Sequence, residues 1–374
     1  MIYFDNAATS YPKPKAVIAA HRRALDRFGG NPGRGAHKLS LAAADMIYDC
    51  RCAVAEFFGC QDPGHVVFTG GATAALNLAI GCHIKAGDHI LMSDREHNAV
   101  ARPVYDLASE RGIEYDIYST EGDILGNIRA LIRNNTRVLV AVHASNVTGR
   151  LLPIEEIAAL CKERGIFFVI DAAQSAGHRK IDLSALPYGA FCAPAHKGLL
   201  GAAGVGIAIF SAEGGHPLIH GGSGWNSQNS KMPDLLPERF EAGTLPTPAI
   251  AALHAAIAFL DHYGLDAVAH REKTAKDVLI EGLSAIPRVR LYEPNYEGGI
   301  IAFTHESIPP ERIAAALDAQ GICVRAGYHC APLAHKAVGT PMGGCVRISA
   351  GYSSTTREAK RTLDALHRIF SEGK

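Results

Sequence analysis

The chain has no C-x-x-C pair among its nine cysteines, no surplus of either charge and no uninterrupted apolar run long enough to cross a membrane. Each absence removes a class of function. An odd number of cysteines without paired spacing, spread over 374 residues, argues against both a disulfide framework and a sequence-local zinc site, so reduced thiols and no metal ion are expected. Lys+Arg 37 balances Asp+Glu 37, so net charge implies no basic face and no partner among nucleic acids or anionic membranes. The start, Met1-Ile2-Tyr3-Phe4-Asp5-Asn6, carries no charged leader followed by an apolar segment, and a cytoplasmic location is expected. There is one tryptophan, no internal repeat and no low-complexity tail. What is present, 48% hydrophobic residues over this length, suffices for a large core and favours two domains over one.

From about 65 to 210, short apolar strands alternate with helical patterns. Strands are expected at His65 to Thr69, Asp88 to Met92, Glu114 to Tyr118, Arg137 to Val142, Ile166 to Ile170 and Val205 to Phe210. This alternation predicts an α/β fold whose mostly parallel sheet is covered by helices on both faces, with ligands at the strands' carboxyl ends. The polar residues that could do chemistry follow those ends: Gly70-Gly71-Ala72-Thr73, Glu96-His97-Asn98, Ser145-Asn146 and Asp171. Residues 213 to 247, rich in Gly, Ser, Asn and Pro and carrying Trp225, read as a long irregular connection. Helical patterns resume from Pro248 to about Ala285, then strands at Val289 to Tyr292 and Gly299 to Phe303, and helices at Pro309 to Gln320 and Thr355 to Phe370. These form a smaller α+β domain.

Two residues suggest covalent chemistry. The run Ile166-Phe167-Phe168-Val169-Ile170 ends in Asp171, which can set a carboxylate against a pyridine nitrogen, and one strand later Lys197 can form a Schiff base with an aldehyde. Taken singly, the Asp also reads as a helix cap and the Lys as solvated surface. Gly70-Gly71-Ala72-Thr73 opens a helical stretch, Ala74 to Ile84, whose free N–H groups suit a phosphate, although simple capping by Thr73 is the alternative. Gln174, three residues past Asp171, can reach the same ring, and His97 can stack on it and move protons. Cys50, Cys52, Cys60, Cys82, Cys161 and Cys192 lie in or beside apolar patterns and read as small core residues. Cys330 stands apart in Arg325-Ala326-Gly327-Tyr328-His329-Cys330-Ala331-Pro332, a loop whose Arg and His can activate a thiol.

These motifs, in this order, resemble the cysteine desulfurases, specifically the group II type related to selenocysteine lyases, in the class V aminotransferase superfamily of fold type I pyridoxal phosphate enzymes. The likeness runs from Tyr3-Phe4-Asp5-Asn6-Ala7-Ala8-Thr9 through Arg34-Gly35-Ala36-His37, Glu96-His97, Ser145-Asn146-Val147-Thr148-Gly149, Asp171-Ala172-Ala173-Gln174, His196-Lys197 and Phe240-Glu241-Ala242-Gly243-Thr244 to the Cys330 loop and Arg347. It implies a large domain over 15–255 with a seven-stranded-type sheet, and a small domain from 1–14 and 256–374 that carries the Cys330 loop. It implies pyridoxal 5′-phosphate on Lys197, with Asp171 and Gln174 holding the ring, His97 stacked on it, and Ala72, Thr73 and His196 at the phosphate. Thr244 would reach the partner subunit's phosphate site in a homodimer. Asn146, Arg347, Arg325 and His37 would bind substrate, with Arg347 as a fork on its carboxylate.

The reaction implied is conversion of L-cysteine to L-alanine, the sulfur passing to Cys330 as a persulfide and on to a thiol acceptor protein. Selenocysteine lyase is the near alternative, because a selenol leaves without help from Cys330. A lyase, epimerase or transaminase of another amino acid, and a sulfur-relay protein of low turnover, stay open as well. Three departures bear on the site. Pro194 stands where many relatives have a phosphate-binding hydroxyl, Tyr328 stands where group II loops commonly have a second His, and the segment from Gly221 to Phe240 is shorter than the protruding hairpin of well-known members.

Overall fold

The computed structural model describes residues 1–33, 35–225, 228–296 and 298–372; Arg34, quoted above in one motif, lies outside them. A seven-stranded sheet forms the centre, in the order Val66–Thr69, Gly206–Phe210, Ala190–Pro194, Phe167–Asp171, Thr136–Val142, His89–Ser93, Glu114–Tyr118. Gly206–Phe210 runs antiparallel to both its neighbours and the remaining pairs are parallel. Side chains alternate between the two faces, as strand geometry demands. Leu139, Phe168, Ile170, Phe191 and Ala193 enter one core, while Val138, Val140, Val169, Ala190 and Cys192 enter the other. Both faces are sealed, which is why these strands read as continuous apolar runs rather than alternating ones.

The expected strands are found within one or two residues, Glu114–Tyr118 to the residue. His65 belongs instead to a short 3-10 turn, Pro63–His65, that Asp62 caps ahead of the first strand. The helix after Gly70-Gly71 spans Ala72–Gly81, beginning two residues earlier than the apolar pattern indicates because Gly71, at φ 144, turns the chain directly into it. The apolar stretch from Pro248 to Ala285 is two helices, Thr247–Tyr263 and Leu265–Ser284, broken at Gly264 with φ 87, a conformation only glycine adopts without strain. The expected division at 255/256 therefore falls inside a helix. As anticipated, the connection from Ser211 to Pro246 contains no helix or strand among the described residues.

A second, four-stranded antiparallel sheet has the order Arg325–Gly327, Cys345–Ser349, Ile300–His305, Val289–Tyr292. Phe303, Val346 and Ile348 pack beneath helices Leu265–Ser284, Pro310–Asp318 and Thr356–Glu372. Full burial of each such side chain contributes roughly 1.5–3 kcal/mol. The amino terminus joins this unit, since Ile2–Tyr3 pairs in parallel with Ile322–Cys323. The chain then crosses to the large sheet, where Ser10 N–H and the Thr9 and Ser10 hydroxyls donate to the carbonyl of His196. No helix among the described residues is long and apolar enough to cross a membrane.

Candidate active site

Three parallel strands of the large sheet end side by side, and their carboxyl ends open into a cavity of about 700 Å³ lined by Gly70, Gly71, Ala72, Thr73, His97, Asn146, Asp171, Gln174, Pro194, His196, Lys197, Arg325, His329 and Arg347. Most of the residues proposed from sequence thus converge from seven separate segments. Three do not line it. Cys330 stands on the adjoining loop, and His37 and Thr244 are exposed, His37 capping helix Lys38–Phe58 and Thr244 accepting from Asn31 Nδ2 at 3.1 Å.

One end of the cavity is built for an anion. Helix Ala72–Gly81 has no side-chain cap, so its first N–H groups face the space directly, where a helix terminus favours negative charge. Gly206 keeps this terminus in place, because a Cβ there would strike the Gly71 backbone. Thr73 and His196 flank the same space. Pro194 closes its strand against Gly206 and brings no hydroxyl.

At the other end, Asp171 is 2% exposed and its Oδ1 accepts from the Ala173 N–H at 2.9 Å. Burial raises its pKa, while the Ala173 bond and the Lys197 charge oppose the rise. Gln174 is held by donation from Nε2 to the Ala7 carbonyl at 2.9 Å. Lys197 is lowered to about 8 by burial, with Arg347 and Arg325 adding to the drop and Asp171 resisting it. Its amine therefore loses its proton close to neutrality, as a carbonyl-binding lysine requires.

His97 caps helix Asn98–Arg111, its Nδ1 accepting from the Ala99 N–H at 3.0 Å. That bond fixes the tautomer with the proton on Nε2, and burial followed by the Lys197 charge lowers the pKa to about 4. His97 thus serves as a helix cap and lines the cavity at once.

The Cys330 loop is tied to the same wall. Cys330 is exposed, its carbonyl accepts from Asn98 N–H at 2.8 Å, and its Sγ lies 3.8 Å from Arg325 Nη2. Asn146 donates from Nδ2 to the His329 carbonyl at 2.8 Å, and its buried Oδ1 has no partner among the described residues. Arg347 is 1% exposed; it donates to the Asn146 carbonyl at 2.8 Å and to Asp5 Oδ1 at 3.0 Å, and its Nε is unpaired among the described residues. Those two orphaned atoms, an acceptor and a donor in one pocket, suit an amino acid's ammonium and carboxylate.

Sequence reasoning gave no role to Asp5 or Lys13 and picked out Glu96 only within a strand-end motif. Lys13 Nζ donates to the His196 carbonyl at 2.7 Å, beside the Lys197 turn, and burial lowers its pKa to about 8. Glu96, fully buried, accepts from Ser93 at 2.5 Å and from Val142 N–H at 2.8 Å, and burial raises it to about 8.

The model of the class-V aminotransferases matches residues 2–362. The chain belongs to that family, among its cysteine desulfurases. A cysteine desulfurase of Serratia proteamaculans is 31% identical over 389 residues, covering 99% of this chain and 93% of its own length. An apo structure of cysteine desulfurase from Thermococcus onnurineus NA1 superposes with a TM-score of 0.90 at 30% identity, over 99% of this chain and 95% of that one. At the level of fold alone, a lysine-to-alanine variant solved with glycine covalently linked to its PLP cofactor gives a TM-score of 0.83 at 24% identity, over 97% and 95% of the two chains.

Proposed function

We propose that this protein is a pyridoxal 5′-phosphate-dependent cysteine desulfurase, a sulfurtransferase of the group II type that converts L-cysteine to L-alanine and hands the sulfur to an acceptor thiol. The observation that carries this reading is the exposed Cys330 on a loop hydrogen-bonded to the wall of the cavity that contains Lys197 and Asp171. The cofactor fits the residues present: an uncapped helix terminus for its phosphate, Asp171 for its ring nitrogen, Gln174 and His97 for the ring, and Lys197 for its aldehyde. When bound, it supplies an electron sink for charge developing at the substrate's Cα.

The chain's own residues account for the other requirements. Arg347, with Arg325 beside it, orients the substrate carboxylate, and Asn146 Oδ1 accepts from its amine. Lys197 Nζ, neutral near pH 8, takes the Cα proton. Cys330 Sγ attacks the substrate's sulfur, the S–Cβ bond breaks, and its electron pair stays on the substrate carbon, which is protonated as alanine leaves. Arg325 Nη2, 3.8 Å from Cys330 Sγ, orients the attacking sulfur. The persulfide then stands at an exposed position from which a second thiol can remove it.

A homodimer is part of this reading. Thr244 is exposed and its loop is fixed, because Glu241 receives two bonds from Arg51 at 2.9 Å and one from the Phe68 N–H at 2.7 Å. With Leu39, Leu41 and Tyr48 exposed on the adjacent helix, a second copy would cover this face, and Thr244 and His37 would complete the other copy's site. The two-domain division belongs here too, with the large domain ending at Gly264. The absence of a membrane-crossing helix among the described residues is compatible with work in the cytoplasm.

The test is alanine formation from L-cysteine with dithiothreitol, for the parent and Cys330→Ala. The expected result is a loss of roughly 10³-fold in the variant with its cofactor absorbance intact. Pyruvate as the product, or a variant as active as the parent on cysteine, would overturn the reading. Retained activity of Cys330→Ala on selenocysteine separates a dual-substrate enzyme from a strict desulfurase.

A further inference from the structure

Beneath the Cys330 loop, three buried side chains from three elements meet. His329 comes from the loop, His335 from helix Pro332–Val338 and Cys345 from the first position of strand Cys345–Ser349, and they are 3%, 2% and 0% exposed. One ligand atom of each lies within 4.8 Å of those of the other two. None of these side chains is used in the proposed reaction, although His329 also lines the cavity.

The spacing suits a metal ion. His329 Nδ1 and His335 Nε2 are 3.2 Å apart. Two nitrogens bound to one tetrahedral ion at about 2.0–2.1 Å would stand about 3.3 Å from each other. The outer nitrogens are furnished as ligating imidazoles need: His329 Nε2 faces the Arg325 carbonyl at 3.4 Å and His335 Nδ1 faces Thr340 Oγ1 at 2.8 Å. With their protons on those outer atoms, both inner nitrogens keep a free lone pair, and Cys345 Sγ lies within 4.8 Å of one nitrogen of each ring. The competing arrangement is a hydrogen-bonded chain from Thr340 through His335 and His329 to the Arg325 carbonyl, in which Cys345 is only a packed side chain.

We propose that His329, His335 and Cys345 bind one zinc-class divalent ion through two imidazole nitrogens and one thiolate, with the fourth position open. Cys345 releases its proton to solvent on binding. The thiolate cancels one of the ion's two charges. Arg347, two residues further along the strand, leaves the site electrostatically less favourable than a closed four-ligand centre, although Asp5 offsets the guanidinium. The ion ties the loop, whose His329 and Cys330 both hold left-handed backbone at φ 51 and 55, to the strand that presents Arg347. This inference stands on the cluster alone and does not depend on the desulfurase reading.

The test uses holoprotein stripped by a chelator, dialysed, and titrated with Co²⁺ as a spectroscopic stand-in for zinc. The expected result is one equivalent per chain, with intense d–d absorption in the red, clear of the cofactor's bands, and displacement by one equivalent of Zn²⁺. Cys345→Ser and His335→Ala each weaken binding by tenfold or more, whereas Cys330→Ala keeps it. Absence of the red bands, or bands lost in Cys330→Ala and kept in Cys345→Ser, overturns the proposal in favour of the hydrogen-bonded chain or of ion capture by the exposed thiol. Should the two cluster variants misfold, X-ray absorption on zinc-loaded Cys330→Ala decides. One sulfur and two imidazoles in the first shell support the site, and a shell of nitrogen and oxygen alone refutes it.

Discussion

Arg347 is paired with Asp5 across 342 positions of sequence, Nη2 to Oδ1 at 3.0 Å, and so reaches the candidate substrate pocket with its charge already partly neutralised. Removing one member of a buried pair strands the other. Asp5→Asn is therefore expected to lower stability by about 3 kcal/mol, and L-alanine should recover part of the loss by bringing a carboxylate to Arg347. Thermal denaturation with and without alanine checks this. The variant should gain more from the ligand than the parent, and an equal gain would mean that Arg347 does not meet the substrate.

Asn146 has a second job beside the substrate contact expected from sequence, since its amide holds the His329 carbonyl while Oδ1 is left for a ligand. Asn146→Ala should loosen the Cys330 loop, which then depends on the bond from Asn98 to the Cys330 carbonyl. Single-turnover persulfide formation should slow by about tenfold, the effect of a lost positioning bond, while the cofactor's visible band is unchanged. A shifted band with normal persulfide kinetics would place Asn146 on the cofactor instead.

Much of this was legible because the large sheet is buried on both faces, so its strands are apolar runs with chemistry at their ends. Asp171, Thr73 and His97 could be picked out by that rule, whereas Lys197 follows a strand, Ala190–Pro194, that is not among the expected ones. The unreadable part is contact between distant segments. Nothing near Asp5 announces Arg347, and the acceptor that Asn146 serves is a backbone carbonyl, which carries no residue identity. His335 and Cys345 are ten positions apart on a helix and a strand, outside any short metal-binding spacing. The break at Gly264 is hidden by apolar residues on both sides, and only its φ of 87 marks it. His37 and Thr244 are legible as members of motifs, but one chain alone does not bring them to the cavity.

The anion end of the cavity depends on Gly206 more than on any polar side chain. A methyl group there meets the Gly71 backbone and must push the terminus of helix Ala72–Gly81 away. Gly206→Ala should weaken retention of pyridoxal phosphate at least tenfold, about 1.4 kcal/mol, and pyridoxal without its phosphate far less. Equilibrium dialysis with the two vitamers measures the difference. Equal losses would show a general distortion of the strand rather than a displaced phosphate site.

Lys197 sets a pH dependence that can be read without turnover. Its ammonium is destabilised by burial to about 8, and Asp171 is the group that holds it up. The rate at which apoprotein takes up pyridoxal phosphate should climb through pH 8 as the amine loses its proton. In Asp171→Asn the same rise should come at lower pH, because the stabilising carboxylate charge is gone. Stopped-flow absorbance across pH 6 to 10 would record both curves, and an Asp171→Asn midpoint above the parent's would contradict the charge assignment.

Glu96 offers a stability test whose sign is fixed by linkage. Burial lifts its folded pKa from 4.5 to about 8, so between those values the native state keeps a proton that the unfolded state has lost. Native protein then binds more protons than unfolded protein, and stability must fall as pH rises through that window, by at most about 1.4 kcal/mol per pH unit. Glu96→Gln cannot titrate and keeps an oxygen to accept from Ser93 and Val142, the two bonds Glu96 makes. The variant should therefore lose less stability than the parent between pH 5 and pH 8. Urea denaturation at the two pH values isolates the effect, because every other titrating group is common to both proteins. Parallel losses would mean that Glu96 is ionised in the native state, with a counter-charge beside its unpaired Oε2.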